Sequence, residues 1–305
     1  METLKLGGIG PEVSRIAMGC MRIASLTEQK LDGLVESAIE AGINLFDHAD
    51  IYGGGACEEA FGALLKRKPS LRQKIVLQSK CGICKGYYDA SKEHILQSVD
   101  DSLRRLQTDH LDVLLLHRPD ALADPQELAE AFQMLKDSGK VLWFGLSNCD
   151  TRKMELLGHY FQEKLLVNQL QLSVASSSLI RAGINTNIEN GAALLRDSGL
   201  LDYCQLHQIT IQAWSPLQYG FLEGSFLGSE KYPELNKALR EIGEEKGLSP
   251  AATAIAWLLR HPAGIQPIIG STNPGHLLDV CKASTTTLSR QEWYRLYLSA
   301  GNDLP

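Results

Sequence analysis

The sequence predicts an α/β fold: a closed (β/α)8 barrel with an N-terminal β-hairpin cap and extra helices at its C-terminal end. Three observations carry that prediction. Strand-like and helix-like segments alternate along the chain, as they do where parallel strands are joined by helical crossovers. The strand-like segments number eight, the count at which such a sheet closes on itself. A length of 305 residues suits one barrel, which needs ~250 residues plus insertions, and 44% apolar residues supply its core.

Residues 3–6 and 13–14 flank the turn Gly7-Gly8-Ile9-Gly10-Pro11 and read as the capping hairpin. Residues 16–19 form the first barrel strand. The helix 27–41 follows, with Thr27 as its N-cap and Gly42 as its stop. Strand 44–47 leads to helix 56–66, strand 75–80 to helix 92–105. Strand 111–117 (LDVLLLH) is nearly all apolar, as expected of a strand covered on both faces. Helix 125–138 ends at Gly139 and is followed by strand 141–147, helix 151–160 and strand 167–170. A polar loop, 173–187, precedes helix 192–207 and strand 210–214. After an insertion at 217–233 come helices 234–245 and 250–259, strand 266–269 and helix 276–282. A last helix, 289–299, lies outside the eightfold count. No linker or low-complexity stretch interrupts this order, so residues 1–305 read as a single domain of the TIM-barrel type.

A net charge of −6 with no Lys/Arg block argues against a nucleic-acid surface. No apolar run reaches the ~18 residues of a spanning helix, and METLKLGGIG lacks a signal-peptide core, so no membrane partner is expected. Seven cysteines, at 20, 57, 81, 84, 149, 204 and 281, suit reduced thiols and a cytoplasmic protein better than a disulfide framework.

The chemistry collects where the strands end, on the face where a barrel of this kind carries its active site. The first strand ends in Cys20-Met21-Arg22 and the second in Asp47, with Tyr52 five residues on in a Gly-rich loop (NLFDHADIYGGG). The third ends in Lys80, the fourth in His117, the fifth in Ser147-Asn148 and the sixth in Gln169. The seventh gives Trp214-Ser215 and the eighth Gly270-Ser271-Thr272. A buried Lys80 ammonium needs a counter-ion, and Asp47 is the candidate on the neighbouring strand. A cation beside the Tyr52 phenol is expected to lower its pKa from ~10 toward the working range. Such a phenol can donate a proton to a carbonyl oxygen as hydride reaches the carbon, with His117 orienting the oxygen. No Ser or Cys with an adjacent base is evident, so the hydride is expected from a cofactor. Asn148 and Gln169, with Ser147 nearby, can bind a carboxamide, and Trp214 offers a face for a pyridine ring. Ser271, Thr272 and Asn273 precede a helix, where backbone N–H groups favour phosphate.

In these residues the chain resembles the aldo-keto reductase superfamily. The motifs FDHADIYG, SLRRLQTDHLDVLLLH, GLSN and PIIGS match the family's in order and spacing, and the likeness covers nearly the whole chain. Within the superfamily GCMR, FDHADIYGG and LSRQEWYRL resemble the bacterial YdhF-like oxidoreductase branch. The resemblance implies NADPH-dependent reduction of small aldehydes or ketones to alcohols. It carries over a tetrad of Asp47, Tyr52, Lys80 and His117, with Tyr52 as proton donor and Lys80, partnered by Asp47, as its pKa modifier. It also places Ser147, Asn148 and Gln169 on the carboxamide, Trp214 on the nicotinamide face, and Ser215, Leu217 and Gly220 on a loop over the pyrophosphate. Met21, Arg22, Asp47, Gly270, Ser271, Thr272, Asn273, His276 and Asp279 complete the expected cofactor set. Gly270 and His276 stand where many NADPH-preferring members carry Lys and Arg, Asp279 replaces a common Glu and Val280 a common Asn. Those departures remove charge that would pair with a 2′-phosphate, but Ser271, Thr272 and Asn273 can still hydrogen-bond it, so NADP(H) is the first expectation, with NAD(H) or dual use as the alternative.

Two local patterns suggest other chemistry. Cys81-Gly82-Ile83-Cys84 has redox or half-metal-site spacing, but a second such pair is absent. Asp47-His48-Ala49-Asp50 resembles a metal-ligand cluster, but that reading leaves Lys80 and Tyr52 without a role, and no metal is expected. A rival function is a nicotinamide-sensing regulator with slow turnover, since potassium-channel β subunits share this fold and tetrad. The open choices are substrate and oligomeric state. The short tail after the final helix predicts an open, permissive pocket.

Overall fold

The computed structural model describes residues 1–184, 199–220 and 223–302. Eight parallel strands close into a barrel: β1 (Ala17–Gly19), β2 (Leu45–Asp47), β3 (Val76–Cys81), β4 (Leu111–Leu116), β5 (Val141–Ser147), β6 (Leu165–Gln171), β7 (Thr210–Trp214) and β8 (Gln266–Ile269). Each strand bonds to the next in sequence and β8 bonds to β1, so chain order and spatial order coincide. Register sets which residues share a level: Asp47 pairs with Gln78, Gln169 with Gln212, and Gln212 with Gln266. Helices between the strands cover the outside. Their starts follow local capping chemistry. Thr27, Ser91, Asp124, Asp150 and Ser249 each accept a hydrogen bond from a first-turn N–H of the helix they precede.

The bottom of the bore is closed by the N-terminal hairpin, Thr3–Lys5 paired antiparallel with Glu12–Ser14. Leu6 and Val13 pack there against Leu45, Val76, Val113 and Leu166, forming a buried apolar cluster. Gly7 permits the fit. Its φ is +58° and a Cβ would lie 2.8 Å from the Leu166 backbone, so a side chain there would force the plug out.

Most predicted elements are observed within one or two residues of their expected ends, which is the ordinary fraying range. Three regions differ. The polar loop 173–187 contains a helix, Ser178–Ile184, which brings Leu179 and Ile180 into the core. The predicted helix 192–207 is observed as Leu200–Leu206, its earlier part lying outside the described residues. A small hairpin, Ile83–Cys84 with Tyr87–Tyr88, follows β3; two-residue strands are too short to leave a periodic signal.

The C-terminal helix Arg290–Ser299 docks through aromatic rings. Trp257 and Trp293 stack at 4.8 Å and 9°, and each indole N–H donates to the other residue's backbone carbonyl at 3.0 Å. Tyr297 stacks on Trp293 at 5.9 Å. No helix among the described residues is long and apolar enough to cross a membrane.

Candidate active site

Along β3 alternate side chains point into the bore, and they change character with height: Val76, then Gln78, then Lys80, all buried. Ser79, between them, faces outward and donates to Glu58 at 2.6 Å. Lys80 is fully buried and its three N–H groups are all used. Nζ donates to Asp47 Oδ2 at 2.9 Å, to the His48 carbonyl at 2.6 Å and to Tyr52 Oη at 3.0 Å. Burial opposes the charge on Lys80, yet Asp47 and Tyr52 outweigh it and raise the pKa above the ordinary value.

Tyr52 reaches this position because the loop after β2 turns through Gly53 and Gly54, at φ +61° and +63°, before the helix Ala56–Arg67 begins. The expected lowering of its pKa is not observed. Burial raises it more than the Lys80 charge lowers it, so the resting group is a neutral phenol. His117, at the end of β4, stands edge-on to Tyr52 with ring centroids 6.0 Å apart. Its Nδ1 is buried without a partner. Burial first, and then Lys80 and Arg118, push its pKa down to about 2, so the imidazole is neutral. The four predicted side chains therefore converge.

Below them lies a feature the sequence reading missed. Gln78 Nε2 donates to Asp47 Oδ1 at 2.6 Å and to Gln212 Oε1 at 2.8 Å. Gln212 Nε2 donates to Gln266 Oε1 at 3.0 Å, and Gln266 Nε2 to the Ser14 carbonyl at 2.6 Å. An unbroken run of amide hydrogen bonds thus joins the Lys80–Asp47 pair to the hairpin at the barrel's base. The available signal was spacing: Gln78 lies two residues before Lys80, and Gln212 two before Trp214, hence on the same face of each strand.

The predicted cofactor residues occupy one rim. Asn148, at φ +55°, donates through Nδ2 to Ser147 Oγ at 2.8 Å and accepts from Trp214 Nε1 at 3.3 Å. Gln169 is turned into the bore. Its Nε2 donates to Asp47 Oδ1 and Gln212 Oε1, both at 3.1 Å, so only its Oε1 can serve a carboxamide, as an acceptor. Ser215 follows in a left-handed conformation (φ +49°), and the loop returns through an antiparallel bridge between Gln218 and Ser225, with Leu217 and Gly220 beside it. Asn273 caps the helix Pro274–Cys281, accepting from Gly275 N at 2.9 Å, and Ser271 Oγ accepts from Asn273 N at 3.1 Å. Thr272 is half-buried between them, and Met21 and His276 are exposed. Arg22 donates twice to the Gly270 carbonyl, at 2.6 and 3.2 Å, and so sets a guanidinium beside this loop. Asp279 accepts from the Ser249 hydroxyl and pairs with Lys282 at 3.2 Å.

The metal reading of residues 47–50 finds no support in their contacts. Asp47 is bound to Lys80, and His48 is fully buried against Phe61 at 4.6 Å with both ring nitrogens unpaired. Burial pushes the His48 pKa down to about 3.

This geometry accords with what the chain resembles. The aldo/keto reductase family model matches residues 15–297. The 6-dehydroglucose reductase of Agrobacterium fabrum (strain C58) is 37% identical, over 95% of each chain. Oxidoreductase YdhF of Escherichia coli (strain K12) is 35% identical over 100% of both chains. A crystal structure of an aldo/keto reductase from Klebsiella pneumoniae, in complex with NADP and acetate, superposes with a TM-score of 0.78 at 28% identity, covering 99% of this chain and 96% of that one. Similarity of this extent, carried along the whole barrel, shows that the chain belongs to the aldo/keto reductase family.

Proposed function

We propose that the protein reduces aldehydes and ketones to alcohols with NADPH, and that Tyr52 is the proton donor. The observation that carries this reading is the three-way bonding of buried Lys80 to Asp47, the His48 carbonyl and Tyr52. Because Lys80 donates to Tyr52 Oη, the phenol's own hydrogen is not used in that bond and is available to a substrate oxygen. When bound, the reduced nicotinamide supplies the hydride. The neutral phenol holds the proton that the forming alkoxide needs. As that proton leaves, the Lys80 ammonium at 3.0 Å stabilises the phenolate. His117, neutral, donates a hydrogen bond to the same substrate oxygen and fixes its direction.

The rim fits a nicotinamide dinucleotide on its donor set. The Ser147–Asn148–Trp214 chain and Gln169 Oε1 offer groups to a carboxamide, and Trp214 offers a ring face. The lysine and arginine missing at Gly270 and His276 are offset by Arg22, which brings a cation to the same loop. That supports NADP(H) ahead of NAD(H). The reduction of 6-dehydroglucose by a relative adds polyhydroxylated aldehydes to the substrates worth assaying.

Titration of the purified protein with NADPH and NADH, following the quenching of tryptophan fluorescence, tests the cofactor. Tight NADPH and weak NADH binding is expected. Equal affinities would remove the role given to Arg22, and binding of neither would end the reductase reading. Steady-state turnover of a simple aldehyde, measured alongside, separates an enzyme from a cofactor sensor. A single slow turnover with very tight NADP(H) would favour the sensor.

A further inference from the structure

Outside the barrel mouth, the hairpin after β3 and the start of the next helix bring together three side chains of metal-ligating type. Cys84 lies on the hairpin, Asp89 at its base and His94 in the first turn of the helix Lys92–Leu106. One donor atom from each lies within 4.8 Å of the others. We propose that Cys84, Asp89 and His94 form a binding site for a borderline-soft divalent cation, with Zn2+ as the best fit.

The local structure explains why these residues meet. Gly82 and Gly86 take φ of +102° and +93°, which turn the chain into and around the hairpin. Asp89 N donates to the Gly82 carbonyl at 3.0 Å and closes its base. Ser91 then caps the helix, which sets His94 beside the hairpin. Cys84 Sγ and His94 Nε2 are 3.6 Å apart. Tetrahedral zinc with bonds of about 2.0–2.3 Å needs ligand atoms separated by about 3.5 Å. Asp89 Oδ1 is engaged by Ser91 N at 3.0 Å, which fixes the carboxylate. Its Oδ2 faces the imidazole, 4.0 Å from Nδ1. One ion takes one ring nitrogen, so binding at Nε2 requires the Ser98 hydroxyl, 3.2 Å from that atom, to give way and the Asp89 carboxylate to swing from the Nδ1 side; the His94 and Asp89 side chains, 28% and 31% exposed, are free enough of packing to turn.

The donor set selects the ion. One thiolate, one imidazole and one carboxylate suit Zn2+, whereas Mg2+ and Ca2+ require a shell of oxygens. Binding converts the Cys84 thiol to thiolate and releases its proton to solvent. Three protein ligands leave a fourth position for water. Cys84 and Ser98 line an open cavity of about 450 Å3, which has room for it. The nearby Arg105 does not oppose the ion with a free charge, because it is paired with Glu58 at 2.8 Å. The far wall of this cavity carries Asp50, Ile51 and Gly54, the neighbours of Tyr52.

Cobalt substitution tests the site on the full-length, reduced and chelator-treated protein. The expected result is one Co2+ per chain with a thiolate-to-cobalt charge-transfer band, displaced by Zn2+. Cys84→Ser should abolish the band, and Asp89→Asn and His94→Gln should each weaken Zn2+ binding tenfold or more in calorimetry. All three side chains are half-buried at the surface, and unchanged far-ultraviolet dichroism will show that each variant folds. Absence of the band in the wild type would overturn the proposal, as would its persistence in Cys84→Ser. Wild-type affinity in both Asp89→Asn and His94→Gln would also overturn it.

Discussion

Leu45 and Asp47 stand two residues apart on one strand, on the same face, both buried in the bore. Leu45 meets Leu6, Val13 and Val76, while Asp47 meets Lys80, Gln78 and Gln169. The lower level is held by burial of apolar surface, which is non-directional and tolerates any side chain of the right size. The upper level is built of an ion pair and amides whose desolvation costs several kcal/mol per charge and is offset only by well-made hydrogen bonds. Both levels could have been filled with branched aliphatics, as most barrels of this type are. That the upper one is polar says its residues are selected for position and charge, and the lower for volume.

That contrast can be broken most sharply at the top. Tyr52→Phe should retain NADPH affinity and lose about 10^2- to 10^4-fold in kcat, the range for removing a general acid. An active variant would return the proton transfer to another group. At the floor, Leu45→Ala should cost about 2–5 kcal/mol of stability in denaturant titration while kcat at a permissive temperature holds. A fall in kcat without a fall in stability would mean that the floor is more than packing. Gln78→Leu sharpens the boundary between the two. Gln78 is a positioning residue acting through Asp47. Its replacement should lower kcat about ten- to a hundredfold with little change in KM, and cost about 1–3 kcal/mol of stability because Asp47 and Gln212 each lose a buried partner. A loss of stability with kcat unchanged would make it a structural residue like Leu45.

The smallest expected effect lies on the rim. Asp50 has a buried Oδ1 with no partner, and burial, followed by the Glu58 charge, pushes its pKa up to about 7. A carboxyl that holds its proton more tightly when folded lowers native stability as pH rises between the unfolded value, 3.8, and about 7, and the penalty persists above that. Asp50→Asn should therefore melt a few degrees above the wild type at pH 8, at about 2 °C per kcal/mol for a chain of this length, with the gap closing toward about pH 4. A gap independent of pH would reject ionisation of Asp50 as its cause. Turnover should show no histidine limb near pH ~6.5, because His117 is already neutral there.

Much of this was legible in the sequence, for identifiable reasons. The strands alternate with capped helices, and strand ends on one rim gather polar residues, so the barrel and the meeting of Asp47, Tyr52, Lys80 and His117 could be anticipated. The sign of the Tyr52 shift could not. It depends on how much water the folded site removes, and burial competes there with a cation 3.0 Å away. The amide run through Gln78, Gln212 and Gln266 was missed because each Gln reads singly as an ordinary polar residue, and only the closure and register of the barrel join them. The hairpin carrying Cys84 was missed because its strands are two residues long.

The stacked indoles of Trp257 and Trp293 give the molecule a built-in optical marker. Parallel rings 4.8 Å apart couple their electronic transitions, so the docked pair should produce a near-ultraviolet dichroism signal that neither ring gives alone. That signal reports the seating of the final helix, while the fluorescence of bound NADPH reports events at the rim. Two spectroscopic readouts can therefore follow the outer helices of the barrel and its mouth separately in one sample.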